Sequence, residues 1–122
     1  SKRRVVITGL GVVSPCGIGV DKFWNSLVEG KSGISKVDAI DTEKHVVKIA
    51  GEIKNFNPED YMDPKEARKM DRFIQFAVVA GDEAVKDAKL DNLEGLDPYR
   101  IGVMVSAAAG GFITFEDNTK EF

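Results

Sequence analysis

One cysteine and one histidine in 122 residues exclude more chemistry than any motif in the chain suggests. A single cysteine permits no internal disulfide framework and fits a reducing compartment. Together the two residues cannot furnish a zinc site of the usual nitrogen and sulfur donors, and the carboxylates show no ligand spacing. No apolar run is long enough to cross a bilayer, and Ser1-Lys2-Arg3-Arg4 leads into a strand-like run without a cleavage site. Basic charge is not in excess: 17 Lys and Arg against 20 Asp and Glu leave a net charge of −3, so no global basic field points to nucleic acid. Repeats, low-complexity tracts and linkers are lacking too. The expectation is a soluble, cytoplasmic protein without metal or cofactor, whose length fits one domain or a piece of a larger one.

What is present reads as alternating strands and helices. Arg4-Val5-Val6-Ile7-Thr8-Gly9 is a continuous β-branched run closed by glycine, the pattern of a strand buried on both faces in a parallel sheet. Leu10 to Gly19 is glycine-rich, holds Pro15, and reads as a loop with extended character. Asp21 is placed to cap a short helix with Phe23, Trp24, Leu27 and Val28 on one face, and Gly30 stands where a left-handed terminator is needed. Signals weaken between Ser32 and Asn55, although Val46 to Ala50 fits a strand. Asn57-Pro58 and Asp63-Pro64 are cap-then-proline pairs that open helices, and Glu66 adds a capping-box feature.

The helix predicted from Pro64 to about Ala88 is the clearest element. Its second half is built from Ala77, Ala80, Gly81, Ala84 and Ala88, small residues that let another backbone approach closely, so this half should be deeply buried. Ile101-Gly102-Val103-Met104-Val105 reads as a second buried strand, followed by Ser106 to Gly111 and a helix from Phe112 without a stop signal before Phe122. A β-α-β order with a long crossover helix implies a parallel sheet and a right-handed connection. Two such strands leave sheet edges open, and further chain is expected to cover them.

Few residues carry chemistry. Gly9-Leu10-Gly11 after a strand invites a dinucleotide-binding reading, but the third glycine is missing and Pro15 interrupts the phosphate-binding helix. Tight strand exit and close packing explain these glycines better. Cys16 and His45 suggest a thiolate and its base, yet no third group orients the imidazole. Cys16 reads as a small buried residue and His45 as a surface one. Glu59 and Asp60 diverge on a helix and favour its N-terminus rather than forming an acid/base pair. Lys65, Arg68, Lys69 and Arg72 fall at i, i+3, i+4 and i+7, one face of the predicted helix. Like charges at a helix N-terminus work against the macrodipole, and such a cluster in an acidic chain points to an anionic partner.

Several blocks together resemble a known family. Arg3 to Gly11, Ser14-Pro15, Gly17, Phe23-Trp24 and Gly30-Lys31-Ser32-Gly33-Ile34 look like the opening of the β-ketoacyl synthases that elongate fatty acids. Lys65 to Gln75, Arg100-Ile101-Gly102 and Gly110-Gly111 continue the match in the same order. The resemblance implies an α/β, thiolase-like layered fold with a mostly parallel sheet, of which residues 1–122 are the first part of the N-terminal half, and a homodimer. It implies a decarboxylative Claisen condensation: an acyl group passes from acyl carrier protein to a cysteine, and malonyl-carrier protein then attacks the thioester. Cys16 does not match the family's nucleophile and His45 matches neither of its histidines, so no catalytic residue is carried over and the segment alone should be inert. Lys65, Arg68 and Lys69 match positions that dock the acidic carrier protein. Ala109 matches the residue gating the acyl pocket, where a larger apolar side chain is usual. The alternatives are an inactive homologue such as a polyketide chain-length factor, an NAD-dependent oxidoreductase, and a module that only binds carrier protein.

Overall fold

The computed structural model describes residues 2–120. In chain order it forms β1 (Val13–Ser14), β2 (Gly17–Ile18), α1 (Val20–Val28), β3 (Ser35–Lys36), β4 (Ile49–Ala50), a 3-10 turn (Pro58–Asp60), α2 (Pro64–Ala67), α3 (Arg72–Asp87), a second 3-10 turn (Pro98–Arg100) and α4 (Phe112–Lys120). The predicted course of the last helix to Phe122 ends outside the described residues.

α3 is the organising element. The backbone of the 9–11 segment crosses its strip of small residues so closely that a Cβ on Gly9 would lie 2.3 Å from the Ala84 carbonyl oxygen. On Gly11 a Cβ would lie 1.8 Å from that of Ala80. The expected close approach is therefore present, and it requires glycine on one side and alanine on the other. Two carboxylates on the same helix extend it. Asp87 Oδ2 accepts from the Leu10 amide at 2.9 Å, and Glu83 accepts from Val12 N at 2.9 Å and from Val20 N at 2.8 Å. These bonds saturate backbone donors that a loop entering a helix otherwise leaves to water.

The Val20 bond corrects the expectation for α1. Gly19 occupies the N-cap position and Asp21 lies inside the first turn, because the Glu83 carboxylate reaches across from α3 and takes over the cap. Of the predicted apolar face only Phe23 is half-buried, and Trp24 is 61% exposed. The C-terminus is as predicted: Gly30 has φ +66, Gly30 N bonds Leu27 O at 3.1 Å, and Lys31 N bonds Ser26 O at 2.9 Å. This is a Schellman closure. α3 closes the same way with Lys89 at φ 57 in place of glycine, with Lys89 N bonding Lys86 O and Leu90 N bonding Val85 O.

Within the predicted loop, β1 and β2 form an antiparallel hairpin with Val13 opposite Ile18. β4 lies inside the predicted 46–50 strand and pairs antiparallel with β3, Lys36 opposite Ile49. Beside that pair, Lys54 bonds Asp38, and this bond and its charge hold the Asp38 carboxyl below its ordinary range and the Lys54 ammonium above its own. Glu52 is held low by the backbone amides of Asp38 and Ala39, each at 2.9 Å.

The two runs predicted as buried parallel strands, Arg4–Thr8 and Ile101–Val105, carry no strand ladder; Val5 and Val103 are each 90% exposed. The pairs among the described residues are all antiparallel. A β-branched run becomes a strand only when another backbone meets its N–H and C=O groups, and no described segment does so. The segment just after the first run and the second run itself nevertheless accompany α3. Residues 9–11 lie over Ala80, Ala84 and Ala88, and Val103 and Val105 share an apolar cleft of about 400 Å³ with Phe73, Ile74, Ala77, Val78 and Gly81. The small-residue half of α3 is half-covered rather than deeply buried, and Gly81 is exposed. The buried apolar side chains are Phe56, Ala67 and Val79. Phe56 stacks on Tyr61 at 5.6 Å and meets Phe76 edge-on at 4.9 Å.

Candidate functional site

The four basic residues do not share one helical face. The predicted helix is broken into α2 and α3, and the turn between them places Lys65 in α2, Arg68 at its C-cap, Lys69 in the turn and Arg72 at the start of α3. Local chemistry accounts for the break. Asp63 accepts from Lys65 N at 2.8 Å and Glu66 N at 3.3 Å, as its cap-then-proline pair predicts. At the other end, Gln75 Nε2 donates to the carbonyls of Ala67 at 2.9 Å and Met70 at 3.3 Å, satisfying acceptors that α2 leaves open. Asp71 then takes an extended conformation, φ −61 and ψ 155, as the N-cap position of α3.

Lys65, Arg68 and Lys69 are exposed, Lys69 pairing with Glu66 at 2.7 Å. Arg72 is exposed as well, with its guanidinium laid against the aromatic side of the small core. Its guanidinium donates to the Ile53 carbonyl at 2.6 Å and lies 5.6 Å and 5.0 Å from the ring centres of Phe56 and Phe76. All four cations reach solvent, and Arg72 also holds the β4-to-α2 connection against α3.

Ala109 is exposed in the bend that precedes Gly110-Gly111. A Cβ on Gly110 would lie 2.6 Å from the Phe73 ring, so this backbone rests directly on that ring. In the first turn of α4, the Thr114 hydroxyl donates to the Asp71 carboxylate. A groove bordered by Lys69, Asp71, Phe73, Gly110 and Thr114 runs between the two helices. The structure therefore brings the glycine turn after Ala109 to the same α3 N-terminus that follows the basic residues, a juxtaposition the sequence spacing did not predict.

Cys16 sits half-buried in the β1–β2 turn, its sulfur 3.0 Å from where a Gly33 Cβ would be, rather than fully buried. His45 is exposed, its amide bonded to the Thr42 carbonyl. No hydrogen bond links the two among the described residues. The Gly9-Leu10-Gly11 run leads into the β1–β2 hairpin instead of a helix, so it lacks the strand-to-helix turn that would cradle a pyrophosphate. Among the described residues no group of three or more His, Cys, Asp or Glu could hold a metal ion, and no helix is long and apolar enough to cross a membrane. The residues that sequence reasoning missed are Glu83, Asp87, Asp71 and Thr114. Their partners are 43 to 77 positions away, and such pairs leave no periodic signature.

Comparison with known proteins identifies the class. Residues 2–121 match the family model described as Beta-ketoacyl synthase, N-terminal domain, and the chain belongs to that family. Over 114 residues it is 54% identical to 3-oxoacyl-[acyl-carrier-protein] synthase 2 of Staphylococcus aureus (strain COL), covering 93% of this chain and 27% of that protein. The protein of the same name from Synechocystis sp. is 40% identical over 116 residues, covering 95% of this chain and 28% of the relative. The chain thus spans little more than a quarter of the curated relatives it matches. Among solved structures, the ishigamide ketosynthase/chain length factor aligns with a TM-score of 0.66 at 37% identity, over 73% of this chain and 22% of that one. A type II polyketide ketosynthase in complex with its acyl-carrier protein aligns at 0.53 and 32%, over 84% and 21%. The fold is accordingly an α/β segment of the thiolase-like layered architecture.

Proposed function

We propose that residues 1–122 form the first part of a ketosynthase domain of 3-oxoacyl-[acyl-carrier-protein] synthase type. The complete protein would condense an acyl thioester with malonyl-carrier protein, with loss of carbon dioxide, in fatty-acid elongation, as a cytoplasmic homodimer. The 54% identity to a protein of that name carries the reading. On this segment Lys65, Arg68 and Lys69 would receive the acidic carrier protein. Their exposure fits that role, and Arg72, also exposed, would join them while holding the bend. Ala109 would gate the acyl pocket, and its small side chain would relax control of chain length. The segment holds no catalytic residue in this scheme. An inactive partner such as a chain-length factor is the second reading, favoured by the ketosynthase/chain length factor among the structural neighbours.

The test uses the full-length synthase carrying this segment. Lys65→Glu with Arg68→Glu should raise KM for the acyl-carrier substrate by roughly tenfold or more at low salt, less at high salt, with kcat little changed. Unaltered KM would remove the docking assignment, and absence of turnover in the unmutated protein would favour the inactive partner. Ala109→Ile should narrow the range of acyl primers accepted; unchanged selectivity between short and long primers would sink the gate.

A further inference from the structure

We infer that Asp71 is a positioning residue for the segment that carries Ala109, acting through Thr114. The inference rests on the reading of Ala109 as an acyl gate. Three observations meet at one place. The Asp71 carboxylate accepts from the Thr114 hydroxyl, linking the start of α3 to the first turn of α4 across 43 positions of sequence. Asp71 makes no side-chain capping bond to its own helix, although aspartate at that position ordinarily bonds the amides of the first turn. Its oxygens are instead directed at the glycine turn, where Oδ2 lies 3.3 Å from the place of a Gly111 Cβ. Third, Phe73, two positions further along the same helix end, lies under Gly110 so closely that a Cβ there would be 2.6 Å from the ring.

The consequence is geometric. Ala109 is exposed and has no element of its own to fix it, so the Gly110-Gly111 turn sets where its side chain points. That turn rests on Phe73 from below and is tied on its C-terminal side through Thr114. The Gly111 conformation, φ +76, is one that side-chain-bearing residues resist, so the turn keeps its shape while the Asp71 bond chooses its place. A carboxylate acceptor gives the stronger, charge-assisted form of hydrogen bond, enough to bias a short loop between nearby positions.

The decisive experiment combines acyl-primer selectivity with amide hydrogen exchange in the full-length synthase carrying this segment. Thr114→Val keeps the shape of the side chain and removes the donor; Asp71→Ala removes the acceptor; Asp71→Asn keeps an acceptor oxygen. Thr114→Val and Asp71→Ala should each speed exchange over residues 110–115 and shift the ratio of kcat/KM for long against short primers, by roughly threefold to tenfold, the range expected for loss of one part-exposed hydrogen bond. The double variant should be no worse than either single one, because both remove the same bond, and Asp71→Asn, which keeps the acceptor and loses its charge, should fall between wild type and Asp71→Ala. A Thr114→Val enzyme with wild-type selectivity overturns the proposal, as does wild-type exchange. If Ala109→Ile still alters selectivity in that case, the gate stands and only the positioning role is lost; if it does not, the gate reading has failed as well.

Discussion

The two chain segments that accompany α3 are held in contrasting ways. Residues 9–20 are bound by carboxylates and by backbone contact: Asp87 and Glu83 accept three amides, and Gly9 and Gly11 approach the helix without room for a Cβ. Residues 101–112 have the same kind of sequence, β-branched and glycine-containing, yet Gly102 has open space around it and Val103, Met104 and Val105 are exposed. On that side the attachment rests on the Phe73–Gly110 contact and the Thr114–Asp71 bond. Apolar character is common to both segments and does not separate them. What separates them is that backbone amides and backbone-to-backbone approach fix the first segment, whereas the second rests on side chains.

Substitutions can sharpen or break this contrast. The largest effect should come from Gly11→Ala, whose new methyl would meet the Ala80 carbonyl in a site without slack. A loss of about 3 kcal/mol or more is expected, against a change within about 0.5 kcal/mol for Gly102→Ala, both read from urea midpoints. Equal costs at the two glycines would mean that the segments are held alike. Next comes Glu83→Ala, which leaves the amides of Val12 and Val20 without their acceptor and should destabilise by about 2 kcal/mol. Glu83→Gln keeps one acceptor oxygen and should lose roughly half of that. If both variants melt with the wild type, the carboxylate is not the fastening. The smallest change should be a gain. Lys89 holds a left-handed conformation at the end of α3 that costs a residue with a side chain about 1 kcal/mol, so Lys89→Gly should raise stability by about 0.5 kcal/mol in the same assay.

The sequence disclosed those features whose cause lies within four or five residues. Gly30 as a helix terminator, the caps of Asn57 and Asp63, and the small-residue strip of α3 are all of that kind. The break at Asp71 was hidden because Lys65 to Ala88 keeps helical spacing throughout, and the reason for the break, a Gln75 amide reaching back to Ala67 and Met70, is a side-chain geometry that spacing does not encode. The one-sided basic face failed for the same reason. Strand identity at 4–8 and 101–105 was read from composition, but a ladder depends on partners that lie elsewhere in sequence. Of the site, Lys65, Arg68, Lys69 and Ala109 stood out only through resemblance to a family, while their spatial link through Asp71 and Thr114 needed coordinates.

The carboxylate of Glu83 also imposes an order in time. Its acceptor oxygens serve Val12 and Val20, 71 and 63 positions earlier in the chain, and Asp87 serves Leu10 across 77. On a translating ribosome those donors are synthesised roughly 3 to 15 s before their acceptors. Throughout that interval the amides of Leu10, Val12 and Val20 lack the acceptors that fix the 9–20 segment, and α3 is the element whose arrival supplies them.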